Sequence, residues 1–198
     1  YEEEELKEIY IPEKAQAQTL SSGIRETINV IDGDSTMSQE PLSFSDDMTG
    51  SILRGFFRDG ELDSVRLEGM ATTLYHIFED SIYQGNNRAS GDTIVLKFGE
   101  DDLESIFISG GSEGTYTPDS LGSDIDGKVV YQSDKIKYNM QDESTDLLGE
   151  ANIDYTDMNL KAGFINVAWR SNLLKALPSS DKDSTITPFR PTMIEEGN

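Results

Sequence analysis

The sequence predicts an all-β domain assembled from repeated strand layers. Three observations carry that expectation: apolar residues alternate with period two, turn residues recur between the alternating runs, and one strand-turn-strand pattern repeats along the chain. Alternation is clearest where Ile94, Leu96 and Phe98 share one face and Thr93, Val95 and Lys97 the other, because successive side chains of a strand point to opposite faces. The same spacing sets Ile106 with Ile108, Ile136 with Tyr138, Ile153 with Tyr155, and Ile165 and Val167 with Trp169. Helical spacing fits none of these segments. Between them fall Asp59-Gly60, Gly85-Asn86-Asn87, Ser90-Gly91-Asp92, Gly99-Glu100-Asp101-Asp102, Gly110-Gly111 and Asp126-Gly127, each short enough to join neighbouring antiparallel strands.

Taken in order, residues 1–20 are acidic and then rich in Gln and Ala, with weak helical spacing of Leu6, Ile9 and Tyr10 and no cap, which predicts a poorly ordered leader. Residues 21–177 form the stack, with short runs of Ile, Val, Leu, Phe and Tyr every 8 to 12 residues or so. Within it, Gly55 to Gly69 resembles Leu96 to Gly110: both read strand, acidic turn, a Leu followed by alternating apolar residues, then Gly. A degenerate third copy runs from Leu148 to Tyr155 and on to Leu160-Lys161-Ala162. Such a repeat implies layers added one after another, each burying its apolar face on the last. Residues 117–127, with Pro, Ser, Asp and Gly and little that is apolar, predict a loop or a sub-boundary, and residues 178–198, with Pro188, Pro191 and Gly197, an extended tail.

Composition excludes several functions. The chain has 198 residues and no cysteine, so disulfides and thiolate metal sites are ruled out. A net charge of −22, from 38 acidic and 16 basic residues, argues against nucleic acid, whose affinity comes mostly from Lys and Arg neutralising phosphates, and against an anionic membrane surface. No run approaches the roughly 18 to 20 apolar residues of a membrane helix. The opening Tyr1-Glu2-Glu3-Glu4-Glu5 has neither the basic start nor the apolar core of a signal peptide.

Catalysis finds no footing. The single histidine, His76, lies between Tyr75 and Ile77 in a predicted strand with no partner visible for general-base work, and no nucleophile-elbow, zinc-protease or phosphate-loop pattern occurs. A glycosidase needs two carboxylates about 5 to 10 Å apart in one cleft, and nothing singles out such a pair. Ser123-Asp124-Ile125-Asp126-Gly127 is similar to the start of a calcium loop but lacks the later acidic ligand, while Asp46-Asp47 and Asp101-Asp102 read as turn residues. No metal or cofactor is expected. What remains is the apolar face, which serves equally as filling between two packed sheets or as the wall of a trough for an acyl chain.

Two stretches resemble a known family. Leu67-Glu68-Gly69-Met70-Ala71, Arg88-Ala89-Ser90-Gly91-Asp92 and Gly110-Gly111-Ser112-Glu113-Gly114-Thr115-Tyr116-Thr117-Pro118 are similar to the Gly-x-Ala, Ala-x-Gly-Asp and Gly-Gly-x-x-Gly-x-Tyr-x-Pro elements of the periplasmic domain of lipopolysaccharide-transport and organic-solvent-tolerance proteins. Val130 to Tyr138, Leu148 to Tyr155 and Leu160 to Trp169 follow in an order similar to the soluble front of that family's outer-membrane assembly member. The resemblance covers residues 50–177. It implies a partly open β-jellyroll in the periplasm, associated with the outer membrane, that holds the acyl chains of lipid A and joins like domains by edge-strand pairing. It implies a lipid-binding groove lined by Leu67, Tyr75, Ile94, Leu96, Phe98, Ile106, Ile108, Ile136, Tyr138, Ile153, Tyr155, Ile165, Val167 and Trp169. The alternative reading is a structural or adhesive cell-surface β-stack whose acidic turns bind calcium.

Overall fold

The computed structural model describes residues 5–31, 34–99, 103–169, 171, 173–178 and 191–195. Among them the regular elements are all strands: β1 (Glu8–Ile31), β2 (Asp34–Arg58), β3 (Glu61–Glu79), β4 (Ile82–Phe98), β5 (Leu103–Pro118), β6 (Val129–Asn139), β7 (Ser144–Tyr155), β8 (Met158–Ala168), β9 (Leu173–Leu177) and β10 (Thr192–Glu195). They make one sheet in which β1 to β8 pair antiparallel with their sequence neighbours, while β9 and β10 both pair with β8. Tight turns explain the meander. At Asp59-Gly60 and Asp80-Ser81 both central residues have positive φ, the twist that suits a two-residue hairpin.

The strands are longer than the 8-to-12-residue spacing implies, and the reason is a crease. Registers jump between Pro12 and Ala15, Thr49 and Ile52, Glu68 and Ala71, Ser90 and Thr93, Ser109 and Ser112, Gln132 and Lys135, and Leu148 and Ala151. These irregularities lie side by side across the sheet. On the odd strands the crease is a pair of left-handed residues, Glu13/Lys14, Gly69/Met70, Gly110/Gly111 and Gly149/Glu150, a backbone region in which glycine costs least. On β4, β6 and β8 the inward positions change parity across it, from Ala89 to Ile94, Tyr131 to Ile136 and Ala162 to Ile165, as a bulge requires. Ser90-Gly91-Asp92 and Gly110-Gly111, expected as turns, are therefore bends within strands, and Gly85-Asn86-Asn87 lies inside β4, with Gly85 at φ +141 beside a further irregularity opposite Ile77 and Phe78.

Folding along the crease gives two limbs, face to face. The aliphatic limb holds residues 8–12, 52–68, 93–99, 103–109, 135–148, 164–169, 171 and 173–177; the polar limb holds 15–31, 34–49, 71–90, 112–132, 151–162 and 192–195. One hydrophobic cluster from Ala15 to Ile165 fills the seam. Beyond the Asp47–Leu74 pair β2 parts from β3, and the β1–β2 ribbon curls over the β3–β4 hairpin. Ile24 N–H donates to the Ser81 carbonyl at 2.8 Å, Arg25 pairs with Asp119 at 2.5 Å, and the Phe44 ring stacks 4.1 Å from that of His76.

The ends of the chain differ from expectation. Residues 8–20 lie in β1, paired along β2, because the ladder satisfies their backbone whatever their side chains prefer; residues 1–4 lie outside the described residues. Residues 119–128 are a loop and not a boundary, since Tyr116 and Val129 on either side pair in one ladder. In the tail, residues 192–195 pair with β8, and 179–190 and 196–198 lie outside the described residues.

The crease generates a stability prediction. Gly149→Ala sets a Cβ against the Asp134 side chain at φ +78, whereas Gly111→Ala at φ +60 meets open space. Urea unfolding should show a loss of about 1 kcal/mol for the second, the cost of the left-handed backbone, and a larger loss for the first. Equal losses would mean that crowding at the crease contributes nothing.

Candidate functional site

The seam is where the predicted groove residues gather. Eleven of them stand on the aliphatic limb: Leu67, Ile94, Leu96, Phe98, Ile106, Ile108, Ile136, Tyr138, Ile165, Val167 and Trp169; Tyr75, Ile153 and Tyr155 face them from the polar limb. Leu67, Ile94, Ile108, Ile136 and Ile165 have no solvent exposure, while Tyr75, Phe98, Tyr155, Val167 and Trp169 are partly buried against the cluster. The pattern allows a splayed trough, but the structure holds the seam closed. Two apolar faces hinged along one line gain roughly 25 cal/mol for each Å² removed from water, so they close on each other.

Alternation alone misses the residues nearest the crease. Two positions after the left-handed residue that opens each bend stand Ala15, Ala71, Ser112 and Ala151, all nearly fully buried, and Ala89 and Ala162 flank the bend on even strands. The limbs converge there and leave room only for small side chains. The sequence signal is the Gly-x-small triplet: Gly69-Met70-Ala71, Gly110-Gly111-Ser112 and Gly149-Glu150-Ala151.

Further from the crease the two faces differ in chemistry. The polar limb brings Tyr75, Asn87 and Tyr131 under Tyr138 of the aliphatic limb. Tyr131 donates to Asn87 Oδ1 at 2.6 Å, so its oxygen receives the Tyr138 proton, also at 2.6 Å, and Asn87 Nδ2 donates to the Tyr75 hydroxyl at 2.9 Å. Tyr131 and Tyr138 belong to the same strand. Seven residues of straight strand would separate them by about 23 Å, so their contact records how sharply β6 folds. The Tyr75 ring stands edge-on to that of Tyr138, 6.0 Å away, and Trp169 donates to Thr145 Oγ1 at 3.0 Å. Of these hydrogen bonds the one between Tyr131 and Tyr138 ties limb to limb across an otherwise greasy seam, and the others hold its partners in place.

Burial perturbs the phenols. It pushes Tyr131 up to about 12 against its hydrogen bonds with Tyr138 and Asn87, and it holds Tyr75 and Tyr138 well above the usual 10, with neighbouring phenols adding to the rise.

Elsewhere the side chains offer little to chemistry. His76 has a partner that the sequence does not reveal: Asp46, on a different strand, accepts from its backbone N–H at 2.8 Å and meets Nδ1 at 2.7 Å, while also bonding Ser21. Asp46 and Asp47 are thus strand residues of β2 and not a turn, and Asp101-Asp102 lie outside the described residues. The histidine ring is stacked on Phe44 near Tyr83, which makes the pair part of the closure of the ribbon over the β3–β4 hairpin. Among the described residues no three histidine or carboxylate side chains converge to hold a metal.

The geometry defines a class: a β-jellyroll made from one creased antiparallel sheet, open along its edges, with an apolar seam between its limbs. No protein-family model matches the chain, and no curated protein sequence does. Among solved structures it is similar to LptH of Pseudomonas aeruginosa, described as the LptA-homologous periplasmic component of the lipopolysaccharide transport device. The identity is 13%, the TM-score 0.59, and the match covers 77% of this chain and 95% of that one. At that identity the likeness is one of fold.

The phenols predict an alkaline limit. Their folded pKa values lie above the unfolded value of 10, so their contribution is complete below pH 10 and declines as pH rises toward about 12, where that of Tyr131 is gone. Unfolding free energy measured by urea should fall by about 1.4 kcal/mol per pH unit for each phenol in that window. Tyr138→Phe should make the slope shallower by one phenol's share, and an unchanged slope would place the titration elsewhere.

Proposed function

We propose that this chain is a lipid-binding bridge module of the lipopolysaccharide-transport type, which carries the acyl chains of lipid A in the seam between its limbs. The observation that carries the reading is the inner face of the aliphatic limb, unbroken from Leu53 on β2 to Ile165 on β8 and hinged along one crease against a second face. That limb resembles the wall of a long apolar groove. The fold shared with LptH, a periplasmic component of such a device, supports the same reading.

Entry requires the limbs to part. Each buried methylene of the guest returns about 0.8 kcal/mol, so acyl chains that cover the parted faces replace the apolar burial lost on opening, and a few further carbons offset the roughly 1 kcal/mol of a broken phenol pair. The phosphorylated sugars stay outside, since a chain of −22 repels them unless divalent cations bridge the two.

Partners follow from the edges. β1 on one side and β9 with β10 on the other do not pair with each other, and they expose Ile9, Tyr10, Leu20, Leu173, Met193 and Ile194. Unpaired apolar edges seek another strand, so like domains join end to end and lengthen the seam into a continuous path through the periplasm toward the outer membrane. Among the described residues no group of three carboxylates converges to make a calcium-bound turn.

Photocrosslinking probes at Phe98 and Ile165, in cells making lipopolysaccharide, should yield lipid adducts, and a probe at the outward Lys97 should not. Adducts at all three sites, or at none in a folded protein, would sink the reading. In addition, Phe98→Asp, at the partly exposed rim, should retain the fold by circular dichroism and lose lipid capture at least tenfold; undiminished capture would mean that the guest uses a different face.

A further inference from the structure

We propose that the outer face of the aliphatic limb is a docking surface for a second copy of this chain, which meets it with the acidic depression on its own crease. The face is anomalous in charge. Acids outnumber bases 38 to 16 in the sequence, yet Arg54, Arg66, Lys97, Lys135 and Lys137 gather on adjacent strands of this one surface. Arg54 and Arg66 are paired with Glu8 and Glu68, but the three lysines form no salt bridge among the described residues. Asp146, the register partner of Lys137, accepts instead from the Asn166 amide at 2.7 Å.

The lysines surround apolar surface. Val95 and Phe107 are register partners on the outward side, Phe107 is 37% exposed, and with Lys97, Ser105 and Lys137 they form a shallow depression of about 300 Å³. Unneutralised ammonium groups around an exposed aromatic ring are poorly accounted for by solvation alone in a chain so rich in carboxylates. They suit a partner that brings negative charge on long arms and a surface to cover the ring.

The molecule carries such a counterpart. At the crease, Glu113, Asp134 and Glu150 rim a second depression of about 190 Å³ whose floor is Ser112 and Ser133. All three carboxylates are exposed, and they do not converge closely enough to hold a metal ion, so their spacing suits separate ammonium groups. Basic face and acidic crease are different patches, which makes the contact head-to-tail and places copies broadside, independent of the edges assigned to end-to-end pairing. With copies each at −22, long-range repulsion opposes the contact until salt screens it, while high salt screens the local pairs as well. Association should therefore peak at intermediate ionic strength.

Sedimentation of the full chain tests this. Self-association should be strongest near about 0.1 M salt and weaker at about 0.01 M and 1 M. The doubly substituted Lys97→Glu/Lys137→Glu and Glu113→Lys/Glu150→Lys variants, altered only at exposed side chains and checked for fold by circular dichroism, should each weaken it at least tenfold, and mixing the two variants should restore it. A parent that stays monomeric at every salt, a charge-swapped variant that associates like the parent, or a mixture that does not recover would each overturn the proposal. The second outcome would assign association to the strand edges.

Discussion

A sheet with one apolar face has to hide that face, and this chain does so by folding the sheet on itself along a line of backbone irregularities. Every other feature depends on that line. Left-handed pairs on the odd strands and parity shifts on the even ones bend seven neighbouring ladders at one level, so that the limbs meet without any strand being cut. Because the bend lies within strands, each one contributes to both walls, and a change at one crease residue is felt on both limbs.

The two walls are not equivalent. Leucine, isoleucine and valine dominate one, while the other carries Ala and Ser near the crease and Tyr and Asn farther out. Hydrophobic closure is non-directional and would accept many alignments; the Tyr138–Tyr131–Asn87–Tyr75 chain of hydrogen bonds admits only one. The seam is thereby closed in a defined register yet held by few polar ties.

Much of this was legible in the residues. Period-two alternation placed Ile94, Leu96, Ile106, Ile108 and Ile136 on the inner face, and the repeat ending at Gly69 and again at Gly110 marked the bends, although glycine there reads first as a turn. The resemblance to lipopolysaccharide-transport domains pointed to the fold that the likeness to LptH shows. The strand at residues 8–20 was hidden because its sequence carries little apolar alternation, and only the long ladder to β2 holds it extended. Ala71 and Ala151 escaped notice because small side chains signal no core until it is known that two limbs converge on them.

The sequence by itself determined the fold class and the large inward residues, because side-chain alternation and glycine's freedom at positive φ are local properties of the chain. Only the tertiary structure decided which glycines turn a strand around and which merely bend it. The same holds for the Asp46 carboxylate that meets His76, for the wall each tyrosine faces, and for the seam being closed. Those outcomes depend on contacts between residues far apart in sequence, whose energies exist only once the sheet has folded over its crease.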